Sequence, residues 1–156
     1  MTMRSLALAA LLAFALVAVP TALAQQNAGT PDPGITDGSK QRRLDAARTA
    51  WKAAGVRSYR FTIERQCFCP PLSDTTVVRG GLLRPGMETE LRDVATVPRL
   101  FRLIQRWIDR KAVRVSVTYG ERGVPSSISV DVSRHIADEE IGYAIRRFTR
   151  LRSRAR

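Results

Sequence analysis

Cys67 and Cys69 stand one residue apart in the run RSYRFTIERQCFCPP, from Arg57 to Pro71, and they are the only thiols in the chain. A pair at that spacing can close a bridge that pins the chain locally, or it can cycle between dithiol and disulfide against a substrate. If Arg57 to Pro71 is one strand, Tyr59, Phe61, Ile63, Cys67 and Cys69 share a face, with Arg65 as the misfit. On such a strand the two Cα atoms would lie ~6.6 Å apart, at the upper edge of what a disulfide accepts, so a bridge requires a bend. Pro70 and Pro71 end the ladder there and supply the place for it. Closing so small a ring removes little chain entropy, ~1.5 kcal/mol at most, so stability is a poor reason for the bond. The redox alternative lacks a helix N-terminus or neighbouring proton acceptor to depress a thiol pKa, and Cys-x-x-Cys is the spacing with the better redox record. The expectation is a structural clip at the strand end. The alternative is a thiol-disulfide redox protein using Cys67 and Cys69.

The other chemistry-bearing residues are charged. Asp131, Asp138, Glu139 and Glu140 form the one carboxylate cluster in a basic chain, but the Asp-x-Asp-x-Asp-Gly spacing of a calcium loop is missing. They read as partners for arginine, and neither a metal nor a cofactor is expected. His135 sits beside them with no triad in view. No serine stands in a nucleophile elbow, no glycine-rich phosphate loop follows a strand, and zinc spacing is absent. Arg146, Arg147, Arg150, Arg152, Arg154 and Arg156 make the C-terminal end densely cationic, in a chain of net charge +12. Such a charge usually prompts a nucleic-acid hypothesis. The leader described next argues against it and leaves anionic envelope components, or another envelope protein, as the available partners. Each arginine close to an anionic membrane is worth about 1 kcal/mol. The plainer reading of the same residues is a solvated end.

Met1 to Ala24 has the form of a secretory signal: Arg4, an apolar run from Leu6 to Val19, Pro20, and Ala22-Leu23-Ala24 before Gln25. The uncharged run is shorter than the ~20 residues a spanning helix needs. Export to the periplasm or the extracellular space follows, with no transmembrane segment after cleavage. Residues 25–38 are polar and rich in Gly and Pro, the composition of a flexible linker. Residues 39–151 then form a single domain, and residues 152–156 a basic tail that frays.

Within the domain, Ser39 is placed to cap a helix with Leu44, Ala47, Trp51 and Ala54 on one face, ending at Gly55. Thr75 to Arg79 and Leu82 to Arg84 flank Gly80-Gly81, a hairpin signal. Met87 to Ala95 carries no clear pattern. Thr96 caps a second helix in which Val97, Leu100, Phe101, Ile104, Trp107 and Ile108 recur at three and four, with Arg99, Arg102, Arg106 and Arg110 read as its solvated side. Val113 to Tyr119 and Ser127 to Val132 alternate as two antiparallel strands. Residues 141–151 fit either element. Ile141, Ala144, Ile145 and Phe148 have helical spacing, and Ile141, Tyr143 and Ile145 have strand spacing, with periodicity slightly favouring the helix. The expected fold is α+β: an antiparallel sheet of five to six strands with two helices packed on one face.

Trp51, the run SYRFTIERQCFCPP, Thr96-Val97 with Leu100-Phe101 and Ile104, then Tyr119, Gly123 and Pro125 of YGERGVP, and IADEEIGY from Ile136 to Tyr143 resemble a bacterial family of secreted proteins and lipoproteins, domain of unknown function sixty-one seventy-four. The family's usual Tyr-Asp is here Tyr119-Gly120, its tyrosine before the proline is Val124, and an acidic residue after the Asp131 position is Ser133. The resemblance implies a fold and an address without a reaction. It also implies an extended final segment. The functional expectation is a non-enzymatic exported binding or interaction module of the bacterial envelope.

Overall fold

Alternation along the chain becomes antiparallel pairing in space. The computed structural model describes residues 29–132 and 140–152, and among them six strands form one sheet: β1 Tyr59–Gln66, β2 Leu72–Arg79, β3 Leu82–Leu83, β4 Arg114–Tyr119, β5 Pro125–Asp131 and β6 Ile141–Arg150. The spatial order is β3-β2-β1-β6-β5-β4. Each half of the chain is a helix followed by a three-strand meander, and the halves meet where β1 pairs with β6. The helices are α1 Pro33–Thr36, α2 Ser39–Ala53 and α3 Val97–Asp109, with 3₁₀ turns at Thr89–Val94 and Glu121–Gly123. The expected α+β architecture is the one observed.

The core lies between the helices and one sheet face. Tyr59, Phe61 and Ile63 of β1, Val115 of β4, Ile128 and Val130 of β5 and Ile145 of β6 are buried on that face, while Ser116, Thr118, Ser127 and Ser129 between them stay exposed. Opposite, α2 buries Leu44 and Ala47, and α3 buries Val97, Leu100, Phe101, Leu103, Ile104 and Ile108. As expected, Thr96 caps α3, its hydroxyl accepting from the Arg99 N–H at 3.3 Å, and Pro98 fits the first turn, where amides lack helical partners. The Tyr59 hydroxyl accepts from the Val97 N–H at 3.2 Å and ties α3 to β1. Burial outweighs that hydrogen bond and pushes the Tyr59 pKa up to about 12. Trp51 of α2 stands edge-on to Tyr59 at 5.3 Å and to Phe148 at 6.0 Å, a geometry worth ~1 kcal/mol per pair beyond the area buried.

Four differences from the sequence reading have local causes. β1 stops at Gln66, so Cys67 and Cys69 lie beyond the strand and not within it. The N-cap of α2 is Gly38, with φ of 76°, and Ser39 is the first helical residue. The 25–38 stretch, expected to be a flexible linker, is built into the domain over its described part: α1 forms there, and the Asp32 carboxylate is buried against β4. The segment from Ile141, which periodicity tilted toward helix, is the ten-residue strand β6 in the middle of the sheet, as the resemblance implied. Gly123 shows why the YGERGVP turn needs a glycine: its φ is +73°, and a Cβ there would run into the Ala47 carbonyl of α2.

Candidate functional site

The cysteines sit at the tip between β1 and β2. Freed from the ladder, the chain bends, and Cys67 and Cys69 are bridged with their Cα atoms 5.1 Å apart. The bend brings the pair inside the range that an unbroken strand would only reach at its limit. Phe68, held between them, is 84% exposed, and Pro70 and Pro71 lead into β2. Arg65, the misfit on the apolar side of β1, is ion-paired to Glu90 of the first 3₁₀ turn at 2.6 Å.

The C-terminal arginines are not all in a tail. Arg146, Arg147 and Arg150 belong to β6 and are exposed, as is Arg152 just after it, while Arg154 and Arg156 lie outside the described residues. A bulge sets their placement. The β1–β6 register shifts between Arg60 and Thr62, and Arg147 adopts φ of 54°. Beyond it Phe148 turns back to stack on Tyr59 at 5.5 Å, so Arg146 and Thr149 are left on the face away from the helices. Register then adds cations from elsewhere in the chain. Arg60 pairs with Thr149 on one side and Val77 on the other, and the Arg84 N–H donates to the Val77 carbonyl at 2.9 Å. Arg84, just past β3, thus forms one row with Val77 of β2, Arg60 of β1 and Thr149 of β6. The Arg79 guanidinium donates to the Arg152 carbonyl at 3.3 Å and brings that charge to the same end. Against this group stands Glu64, 3.9 Å from Arg146. Arg60, Arg79 and Arg84 were invisible as part of a patch in the sequence, because only the strand register unites them with β6.

Of the acidic cluster, Asp131 and Glu140 are among the described residues. Asp131 ends β5 opposite Arg114 of β4, and Glu140 is exposed just before β6, whereas Asp138, Glu139 and His135 lie outside the described residues. Among the described residues no group of three or more His, Cys, Asp or Glu side chains is placed to hold a metal ion. Nor is any described helix long and apolar enough to cross a membrane.

The residues that build this scaffold are those a family model matches. Residues 43–150 fit DUF6174, a family of unknown function. The chain belongs to that family. Its DUF6174 region runs from α2 to the last residue of β6 and so takes in the bridged tip and the β6 arginines, while the Asp32 segment precedes it. No curated protein and no solved structure matches the chain.

Proposed function

We propose that this DUF6174 protein is a non-enzymatic, exported binding module of the bacterial cell envelope, and that it meets an anionic surface through the cationic end of its sheet. The observation that carries the reading is the strand register that sets Arg60, Arg84, Arg146 and the neighbouring arginines together on exposed backbone ladders, with Glu64 the carboxylate in ion-pair range. A sheet holds these charges at fixed spacing, so binding does not pay to order a loose tail. With about 1 kcal/mol per charge near an anionic membrane, several arginines give reversible, salt-sensitive attachment. The signal-like leader supplies the address at which such a surface is available. The test is binding to anionic vesicles by wild type and by a variant carrying Arg60→Gln, Arg146→Gln and Arg150→Gln, which should lose most of it.

A second reading, thiol-disulfide exchange, is favoured by one observation: the Cys67–Cys69 bridge closes a loop tip whose intervening Phe68 is largely exposed. In that reaction a substrate dithiol gives up two electrons and two protons, its own disulfide forms, and Cys67 and Cys69 become thiols.

A further inference from the structure

On the helix side of the sheet, a second group of arginines surrounds a cavity. Asp93 of the first 3₁₀ turn and Arg99, Arg102 and Arg106 of α3 line a space of about 170 Å³. The three arginines recur at three and four along α3, so they rise in one stripe from its first turn. Arg99 is held by a hydrogen bond to the Arg92 carbonyl. The guanidinium groups of Arg102 and Arg106 make no hydrogen bond or ion pair among the described residues, although Asp93 lines the same cavity. Two guanidinium groups are therefore turned to one cavity without an acceptor.

Arg65 belongs to the same region. It pairs in register with Tyr143 of β6, and its ion pair with Glu90 reaches the 3₁₀ turn that also carries Asp93. Its Nε is buried and lacks a hydrogen-bond partner. Tyr143 is buried close enough to Arg65, Arg106 and Asp93 for all three charges to act on its hydroxyl; burial and Asp93 push its pKa up and the arginines oppose them. An arginine on the apolar side of a strand breaks the local pattern, and such breaks collect at functional sites. Counting the named groups, four guanidiniums face the two carboxylates Asp93 and Glu90, which leaves two positive charges over.

We infer that the cavity between α3 and the Thr89–Val94 turn is a binding site for a phosphate dianion, free or at the end of a phosphomonoester, held chiefly by Arg102 and Arg106. A dianion matches the charge excess, and forked guanidinium donors match phosphate oxygens pairwise. This site is separate from the proposed anionic-surface contact: it lies on the helix side of the sheet, whereas Arg60, exposed between the buried Tyr59 and Phe61, and its partner Thr149 face the other way.

Calorimetric titration of the purified protein with inorganic phosphate at low ionic strength tests it. One saturable site is expected, weakened at least ten-fold in Arg102→Gln/Arg106→Gln and unchanged in Arg114→Gln, an exposed position on the edge strand β4. Arg102 and Arg106 are exposed, so the first variant should fold, and an unchanged thermal midpoint without phosphate verifies this. Phosphate should raise the midpoint of wild type and not of that variant. Absence of a saturable site, equal affinity in the two variants, or malonate binding as tightly as phosphate would each overturn the assignment. Vesicle binding is read separately, so either proposal can fail alone.

Discussion

The Asp32 carboxylate accepts the backbone N–H of Val115 at 2.9 Å, across 83 positions of sequence. β4 is an edge strand, and this contact covers part of its open side. Lys40 completes the clasp: its Nζ donates to the Val115 carbonyl at 2.5 Å and lies 3.5 Å from the Asp32 carboxylate. Replacing Asp32 with Ala leaves a buried N–H unmatched and should cost ~2 kcal/mol, read as a lower denaturant midpoint with an unchanged slope. A loss under ~0.5 kcal/mol would show that the clasp is incidental.

The same carboxylate sets an acid response. Burial by itself would raise its pKa, but the N–H groups of Val115 and Gly34 and the Lys40 charge outweigh burial and hold it below the ordinary value of 3.8. The folded state therefore binds this proton less readily than the unfolded state. The stability it contributes is complete above about pH 4 and is lost as pH falls through the lower folded value. Urea midpoints between about pH 4 and pH 2 should fall more steeply for wild type than for Asp32→Asn; parallel curves would remove Asp32 from the account.

Gly123 carries the approach of the YGERGVP turn to α2. Gly123→Ala meets both the positive φ and the Ala47 carbonyl, and should destabilise by about 3 kcal/mol, visible as a drop of several degrees in the thermal midpoint. Gly80→Ala has a similar positive φ of +59° but open space around it, so it should cost only about 1 kcal/mol. Equal losses at the two sites would contradict the packing argument.

If Cys67 and Cys69 serve as a clip, the double variant Cys67→Ser/Cys69→Ser should lose no more than ~1.5 kcal/mol and keep its binding properties. Thiol titration of the native protein should find no free thiol, because both cysteines are paired. Turnover of a dithiol substrate by wild type, abolished in the double variant, would instead establish the exchange reading.

Much of this architecture could be read in advance because each element buries one face. Six apolar residues of α3 recur at three and four, and β4 and β5 alternate hydroxyl and apolar side chains, so periodicity and position agree. β6 misled for a physical reason. Its bulge at Arg147 inserts one residue, which puts Phe148 three positions after Ile145 on the same face and imitates helical spacing; as a central strand it also buries Ala144. The Asp32 clasp was illegible because a Gly/Pro-rich stretch gives no hint of a carboxylate docking on a strand 83 positions away. At the candidate surface the β6 arginines were visible as a run, but Arg60 and Arg84 join them only through register. Arg65 was visible as a break in alternation, and only the fold shows what stands around it.

The central claim is that fixed strand register makes one sheet end a cationic contact surface. The most direct measurement is co-sedimentation of the purified protein with phosphatidylglycerol-rich vesicles at rising salt. Binding at low salt should fall steeply by about 0.15 M, where exposed charges are screened beyond ~8 Å, and Arg60→Gln/Arg146→Gln/Arg150→Gln should bind at least ten-fold more weakly throughout. Equal binding by wild type and the triple variant, or binding indifferent to salt, would contradict the account.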